Sequence, residues 1–345
     1  MNLIQDAESI LNGSRKDYSS IKTKTDNVFQ AYIKYMQSHE DLLPANIESL
    51  VARCDEIKEE VLNLLKQYLM GNHRRALDIA KSLLSEKEYT VEVSSNTPMF
   101  RSRANDGGYM YKQEEMWHVP LEKRGLVTNQ RFSVNGLPCL YLGGASYICW
   151  EEIGRPDYQK CNHCCFKTTS HLRVYDFCLP QRWMTVNDVY RSVLILACSI
   201  KTDKNDVFKQ EYILPQCFLQ AVIEKQLSNS IIEPIGIRYH STKLLNGETD
   251  LFKYSGENDD RYINYVFPVI SSKPSGISEV LKKSFIQSKV TSIMAEIIKD
   301  PSAVFSANDD EYLDSNFGFI DSVLLKSLGL PSKRVEADML LCEKD

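Results

Sequence analysis

Residues 137–154, LPCLYLGGASYICWEEIG, set a short apolar run against a glycine pair and then a segment that ends in two acids. The run around Leu140, Tyr141 and Leu142 reads as a β-strand, Gly143 and Gly144 as a turn, and residues 145–153 as a short helix. On either side lie more segments rich in Tyr, Val, Ile and Phe: YTVEV and MFRSR, separated by the turn-forming SSNTP, then LRVYDFCL, IGIRYH and YINYVFPVI. Further helix candidates fall at 187–201 and 215–227. The order does not repeat as βαβ, so the pattern predicts an α+β domain with helices packed on a largely antiparallel sheet.

Before residue 89 the chain reads as helical. Ile21, Val28, Phe29, Tyr32, Ile33 and Met36 share one helical face within residues 14–38, and residues 41–44 interrupt it. From 47 to 70 the series Leu50, Val51, Cys54, Ile57, Val61, Leu64, Leu65 and Tyr68 repeats it, with Gly71 as a C-terminal cap and Asn72 opening the next helix. This divides the chain into a helical region at 1–88, a mixed domain at 89–300, and a C-terminal extension at 301–345 with one amphipathic stretch near 317–328 and a charged tail.

The chain has 345 residues, 43% of them hydrophobic, enough for a sizeable core without disulfide staples. Forty-one basic against 46 acidic side chains give a net charge of -5, so there is no broad basic footprint for nucleic acid or an anionic membrane. No apolar run approaches the roughly 18 residues of a membrane span, and the start lacks a basic then apolar leader. The expectation is a cytoplasmic protein whose ten cysteines are mostly reduced.

Four segments put a polar or ionic group beside residues that belong in a core, an arrangement that is costly unless the group is paired or functional. They are Arg101 in MFRSR, Arg131 in NQRFS, Tyr141 with the acids that follow it, and Tyr239, His240 and Ser241 at the end of IGIRYHS. Glu152 lies seven after Ala145, four after Ile148 and three after Cys149, so helical spacing sets it on the inward face and turns Glu151 elsewhere.

In order and spacing, these segments together with YILPQ resemble the RES-domain family, in the branch that carries a helical HEPN/RES-type N-terminal region. The resemblance runs from about Met99 to Val269. It implies an ADP-ribosyltransferase-like fold acting on NAD, as in toxins of toxin–antitoxin pairs that break the nicotinamide–ribose bond, and in members that transfer ADP-ribose to a protein. By position the family arginines fall on Arg101 and Arg131, the tyrosine on Tyr141, the glutamate on Glu152 and the serine on Ser241. The segment of Tyr212 and Gln216 is an alternative source of that last polar group. Where the family usually has GRW, this chain has QRF.

The residue types suit that chemistry. A guanidinium is a bidentate partner for a diphosphate, so Arg101 or Arg131 can hold it. Glu152 can stabilise an oxocarbenium-like ribose, Tyr141 can stack on nicotinamide or bracket the ribose, and Gly143 and Gly144 would let backbone approach the ligand. Gly143, Gln216 and Tyr239 complete the substrate-binding candidates. Water, phosphate or a side chain can accept the ADP-ribose, making the enzyme a glycohydrolase, a phosphorylase or a transferase. NAD enters as substrate, with no metal expected. The partners expected are an antitoxin or defence-system protein and a second copy of the chain.

Other readings were weighed. CNHCC, with Cys161 and Cys164, is half of a zinc site. His118 and His240 read as hydrogen-bonded packing residues near the site. The helical region lacks the Arg-then-His pair of a HEPN-type RNase, which leaves it a scaffold or interaction role. A non-catalytic interaction module is the alternative from outside enzymology.

Overall fold

A computed structural model describes residues 1–12, 20–85, 89–203, 205–228, 235–248, 259–270, 276–299 and 312–331. The start of the helical stretch expected from residue 14 and the charged tail lie outside the described residues. The chain groups into two compact units, each drawn from separate segments. One comprises Met1–Val91, Thr128–Gly136 and Val174–Thr249; the other comprises Glu92–Val127, Leu137–Arg173 and Asp250–Asp345. This grouping crosses the expected linear divisions, because the N-terminal helices bury their apolar faces on helices that come much later in the chain.

The first unit opens with α1 (Leu3–Asn12), α2 (Ile21–Ser38), α3 (Ile47–Leu69) and α4 (His73–Ser85). Ser20 caps α2 by accepting the Thr23 N–H at 3.2 Å, and the Asn46 side chain accepts two N–H groups at the start of α3. Gly71, at φ +82°, ends α3 in the left-handed region expected of a cap glycine. The buried stripe of α2 holds Val28, Phe29, Tyr32 and Met36, and that of α3 holds Leu50, Cys54, Ile57, Val61 and Leu64.

Those stripes are covered by α6 (Val186–Cys198) and α7 (Ile213–Ser228). The Tyr32 hydroxyl donates to the Val189 carbonyl at 2.8 Å, and Lys24 forms a buried ion pair with Glu211 at 2.6 Å. The chain leaves the unit through β1 (Thr90–Val93), returns briefly at Thr128–Gly136, and returns again through β5 (Leu172–Phe177), which pairs with β6 (Ile237–His240), itself followed by the single turn α8 (Thr242–Leu245). The β5–β6 pair is parallel, with Tyr175 opposite Ile237 and Phe177 opposite Tyr239, so antiparallel pairing does not extend throughout.

The second unit is built on five antiparallel strands in the order β7 (Ile263–Pro268), β3 (Cys139–Gly143), β2 (Pro98–Ala104), β4 (Cys161–Thr168) and β8 (Phe285–Gln287). α5 (Ser146–Glu152) packs on β2 and β3, and α11 (Asn316–Ser327) packs on α5 and β4. α9 (Glu279–Ser284) leads into β8, and α10 (Ile293–Lys299) follows it. β2 is in register with β4 along its whole length, from Pro98 opposite Lys167 to Ala104 opposite Cys161, and β3 likewise follows β7. β2 and β3 share one partner pair, Phe100 opposite Gly143, and part beyond it.

β4 is the CNHCC segment, and it is a strand buried along nearly all its length. Cys161 and Cys164, three apart, therefore point to opposite faces of the sheet and do not converge as zinc ligands would. Among the described residues, no three His, Cys, Asp or Glu side chains come together as a metal site. None of the described helices is long and apolar enough to cross a membrane. The chain is thus mixed α/β, with strands paired in both senses.

Candidate functional site

Arg101 lies on β2 opposite Cys164 of β4, where β2 and β3 part. Its Nη1 donates to the Tyr141 carbonyl of β3 at 2.7 Å. Its Nε is buried with no hydrogen-bond partner, and no carboxylate lies within ion-pair distance among the described residues. Burial draws this guanidinium below the usual arginine range, and neighbouring Arg103 pulls the same way. An uncompensated cation beside a parted sheet is a natural partner for an anion.

Glu152 is the last residue of α5. It is exposed, and its Oε1 accepts a hydrogen bond from Asn264 Nδ2 at 2.8 Å. Asn264 is buried on β7 opposite Gly143, so the amide is held by the same strands that carry Tyr141. The helical-spacing argument fails on the adjacent acids: Glu151 is the fully buried one, paired with Arg155 at 2.8 Å, and Glu152 faces out. The reason is that α5 has only seven residues and packs on the sheet and on α11, so it has no single inward face.

Cys149 ties the two charges together. Burial pushes its thiol up, Asp321 adds to that, Arg101 opposes it, and Glu152 adds a further push. Arg101 and Glu152 thus press on the same buried sulfur in opposite directions. Tyr141 is half-buried, opposite Val266.

The glycine pair serves packing. A Cβ on Gly143 would stand 2.6 Å from Ile148 Cγ2 and 2.8 Å from Cys149 Sγ, and one on Gly144 would stand 1.7 Å from the Asp260 carbonyl oxygen. The close approach at these positions is made by α5 and by the turn at Asp260–Tyr262. The Gly144 N–H also donates to Ile263 O at 2.7 Å.

The remaining candidates belong to the first unit. Arg131 donates from Nη1 to the carbonyls of Cys198 and Ile200 at 2.7 and 3.0 Å, and its guanidinium stacks over Tyr212. Gln216 Nε2 bonds the side chain of Asn129 and the carbonyl of Gln130, fixing the loop that carries Arg131. Tyr239 lies against Phe132, with ring centroids 4.6 Å apart. Ser241 is fully buried and caps α8, its Oγ accepting the Lys243 N–H at 3.3 Å. His240 Nδ1 accepts the Leu179 N–H, and in the second unit His118 Nε2 accepts the Ser278 N–H, so both histidines are hydrogen-bonded into the fold.

Arg101, Tyr141, Gly143 and Glu152 all belong to the second unit. Two residues there escaped the sequence reading, Asn264 and Asp321. Each is a polar side chain inside an apolar run, INYVF and FGFIDSVLL, a signal of the same kind as the one that singled out Arg101.

Over 291 residues the chain is 30% identical to a protein of Bacillus subtilis (strain 168) named "Putative toxin YopC", an alignment that takes in 75% of this chain. The chain spans 63% of the length of that relative. No family model matches the chain, and no solved structure matches it.

Proposed function

We propose that this chain is a toxin that consumes NAD, breaking its nicotinamide–ribose bond at the parted strands of the second unit. Three lines support the reading: the likeness to a protein named as a toxin, the RES-type order of motifs, and the electrostatics around α5. The observation that carries it is the uncompensated guanidinium of Arg101, bonded to the Tyr141 carbonyl of β3, while Asn264, opposite Gly143 of the same strand, holds the exposed carboxylate of Glu152.

In this reading Arg101 holds the diphosphate, and Tyr141 lies along the nicotinamide riboside. Asn264 fixes one oxygen of Glu152 and leaves the carboxylate to accept from a ribose hydroxyl. As the C1′–N bond breaks, its electron pair goes to the pyridinium nitrogen, and nicotinamide leaves neutral without needing a proton. The positive charge moves to the ribose, where Glu152 is worth more than in the ground state. Water, phosphate or a protein side chain then forms the new bond at C1′ and loses a proton. In a cell such an enzyme drains NAD and halts growth, and it requires a restraining partner of the antitoxin type.

The test is incubation of the purified chain with NAD, following free nicotinamide by chromatography and identifying the ADP-ribosyl product. Release by the wild type, lost by about 100-fold or more in Glu152→Gln, is the expected result. Absence of release with water, phosphate or a protein mixture as acceptor sinks the reading.

A further inference from the structure

Asp321 is a buried carboxylate on α11, and its hydrogen bonds run to other elements of the second unit. Both its oxygens accept the backbone N–H of Ser146, the first residue of α5, at 3.2 and 3.4 Å, and the Tyr312 hydroxyl donates to Oδ2. The Ser146 side chain adds a link to the Phe317 carbonyl of α11 at 3.5 Å. Gly318 lets α11 come this close to its own lead-in, since a Cβ there would stand 2.2 Å from the Tyr312 carbonyl oxygen. Glu152 closes the same seven-residue helix that Asp321 holds at its start.

No cation pairs with Asp321 among the described residues. The titratable groups that face it are Tyr312 on the turn before α11, Cys149 on α5 and Cys165 on β4, all pushed up by burial and neutral near pH 7. Arg261 reaches it only through the Tyr312 ring, over which it stacks at 5.0 Å, and Arg261 is itself bound to Asp259 at 2.5 Å. A lone buried carboxylate of this kind is expensive to keep unless it does a task.

We propose that Asp321 is a positioning residue for the candidate site, its carboxylate anchoring the start of α5 to α11 and so fixing the direction of Glu152 at the other end. The inference rests on the NAD-cleaving reading for its consequence in catalysis, and on hydrogen bonds alone for its consequence in α5. Burial outweighs the three donated hydrogen bonds and pushes the Asp321 carboxyl up to about 7. A carboxyl held this high is favoured in its neutral form by the buried arrangement, so ionisation costs that arrangement and the anchor loosens as pH rises through neutrality.

Amide hydrogen exchange of the full chain decides the anchor without any substrate. After correction for the intrinsic pH dependence of exchange, residues 147–152 of the wild type lose protection between pH 6 and 8. In Asp321→Asn, which keeps the shape and one acceptor and cannot ionise, that loss disappears, and in Asp321→Ala the same amides exchange at least 10-fold faster while β3 and β7 are unchanged. Unaltered α5 protection in Asp321→Asn overturns the proposal, even if the alanine variant fails to fold. If the wild type releases nicotinamide, Asp321→Ala lowers kcat and leaves KM for NAD near its wild-type value, and Asp321→Asn flattens a fall in rate through pH 7. A KM effect with kcat intact also counts against positioning. A wild type without NAD cleavage defeats the functional reading and leaves the exchange result to stand on its own.

Discussion

Asn264 and Glu152 meet at 2.8 Å, and the hydrogen bond joins a buried amide to an exposed carboxylate. A bond to a charged group contributes about 1.5–3 kcal/mol, so Asn264→Ala is expected to lower nicotinamide release about 10- to 100-fold with the Tm little changed, read by steady-state kinetics beside a thermal melt. Gly144 gives a sharper outcome. The space a Cβ would fill holds the Asp260 carbonyl, backbone that cannot swing aside, so Gly144→Ala should fail to reach the native fold, seen as loss of soluble protein or of a cooperative melt. At this scale the sequence singled out Arg101, Tyr141 and Glu152, because charge and aromatic polarity inside apolar runs stand out. It misjudged which of two adjacent acids is buried, since a seven-residue helix gripped on two sides offers no periodicity to read.

The end of α3 was the most readable boundary: Gly71 marks it by chemistry that acts within a few residues and Asn72 opens α4, while the caps Ser20 and Asn46 of α2 and α3 went unread. β4 was not readable: a strand buried on both faces shows no alternation, and three cysteines and a histidine in five residues suggest ligands before they suggest a sheet interior. The parallel pairing of β5 with β6 was equally hidden, because strand direction depends on connections that local patterns do not encode. What the helical region lacks by itself is cover. α6 and α7, which close over α2, α3 and α4, come from residues 186–228, and the partners of Tyr32 and Lys24 come with them. A fragment of residues 1–88 should therefore melt without a cooperative transition by circular dichroism, while residues 1–345 melt with one.

Two buried groups give the whole molecule a pH dependence with opposing signs. His163, fully buried beside Ser102, is pushed down by burial to about 4, so it is neutral in the fold while the unfolded chain takes up a proton near 6.5. Its stabilisation is complete above about 6.5 and is lost as pH falls toward 4, on the order of 3 kcal/mol. Asp321, raised to about 7, works the other way: its contribution is full below about 4 and is lost as pH rises through 7. Denaturant midpoints of the wild type should form a broad plateau between pH 5 and 7. Asp321→Asn should leave a stability that climbs with pH through this window, and His163→Gln one that declines. A wild-type profile unchanged by either substitution would remove both assignments. Neither group was visible as a titrating site in the sequence, because the shifts come from burial, which segments far apart in the chain create.

The threading of the chain carries a consequence for how the protein comes into being. Each compact unit is stitched from three stretches that alternate along the polypeptide, and the carboxylate that grips the start of α5 sits on the last described helix. During translation the helix that ends in Glu152 leaves the ribosome long before its anchor is made. The geometry around Glu152 is therefore assembled only once α11 has been made, and under the proposed function a nascent copy still short of α11 would spare the cell that is making it.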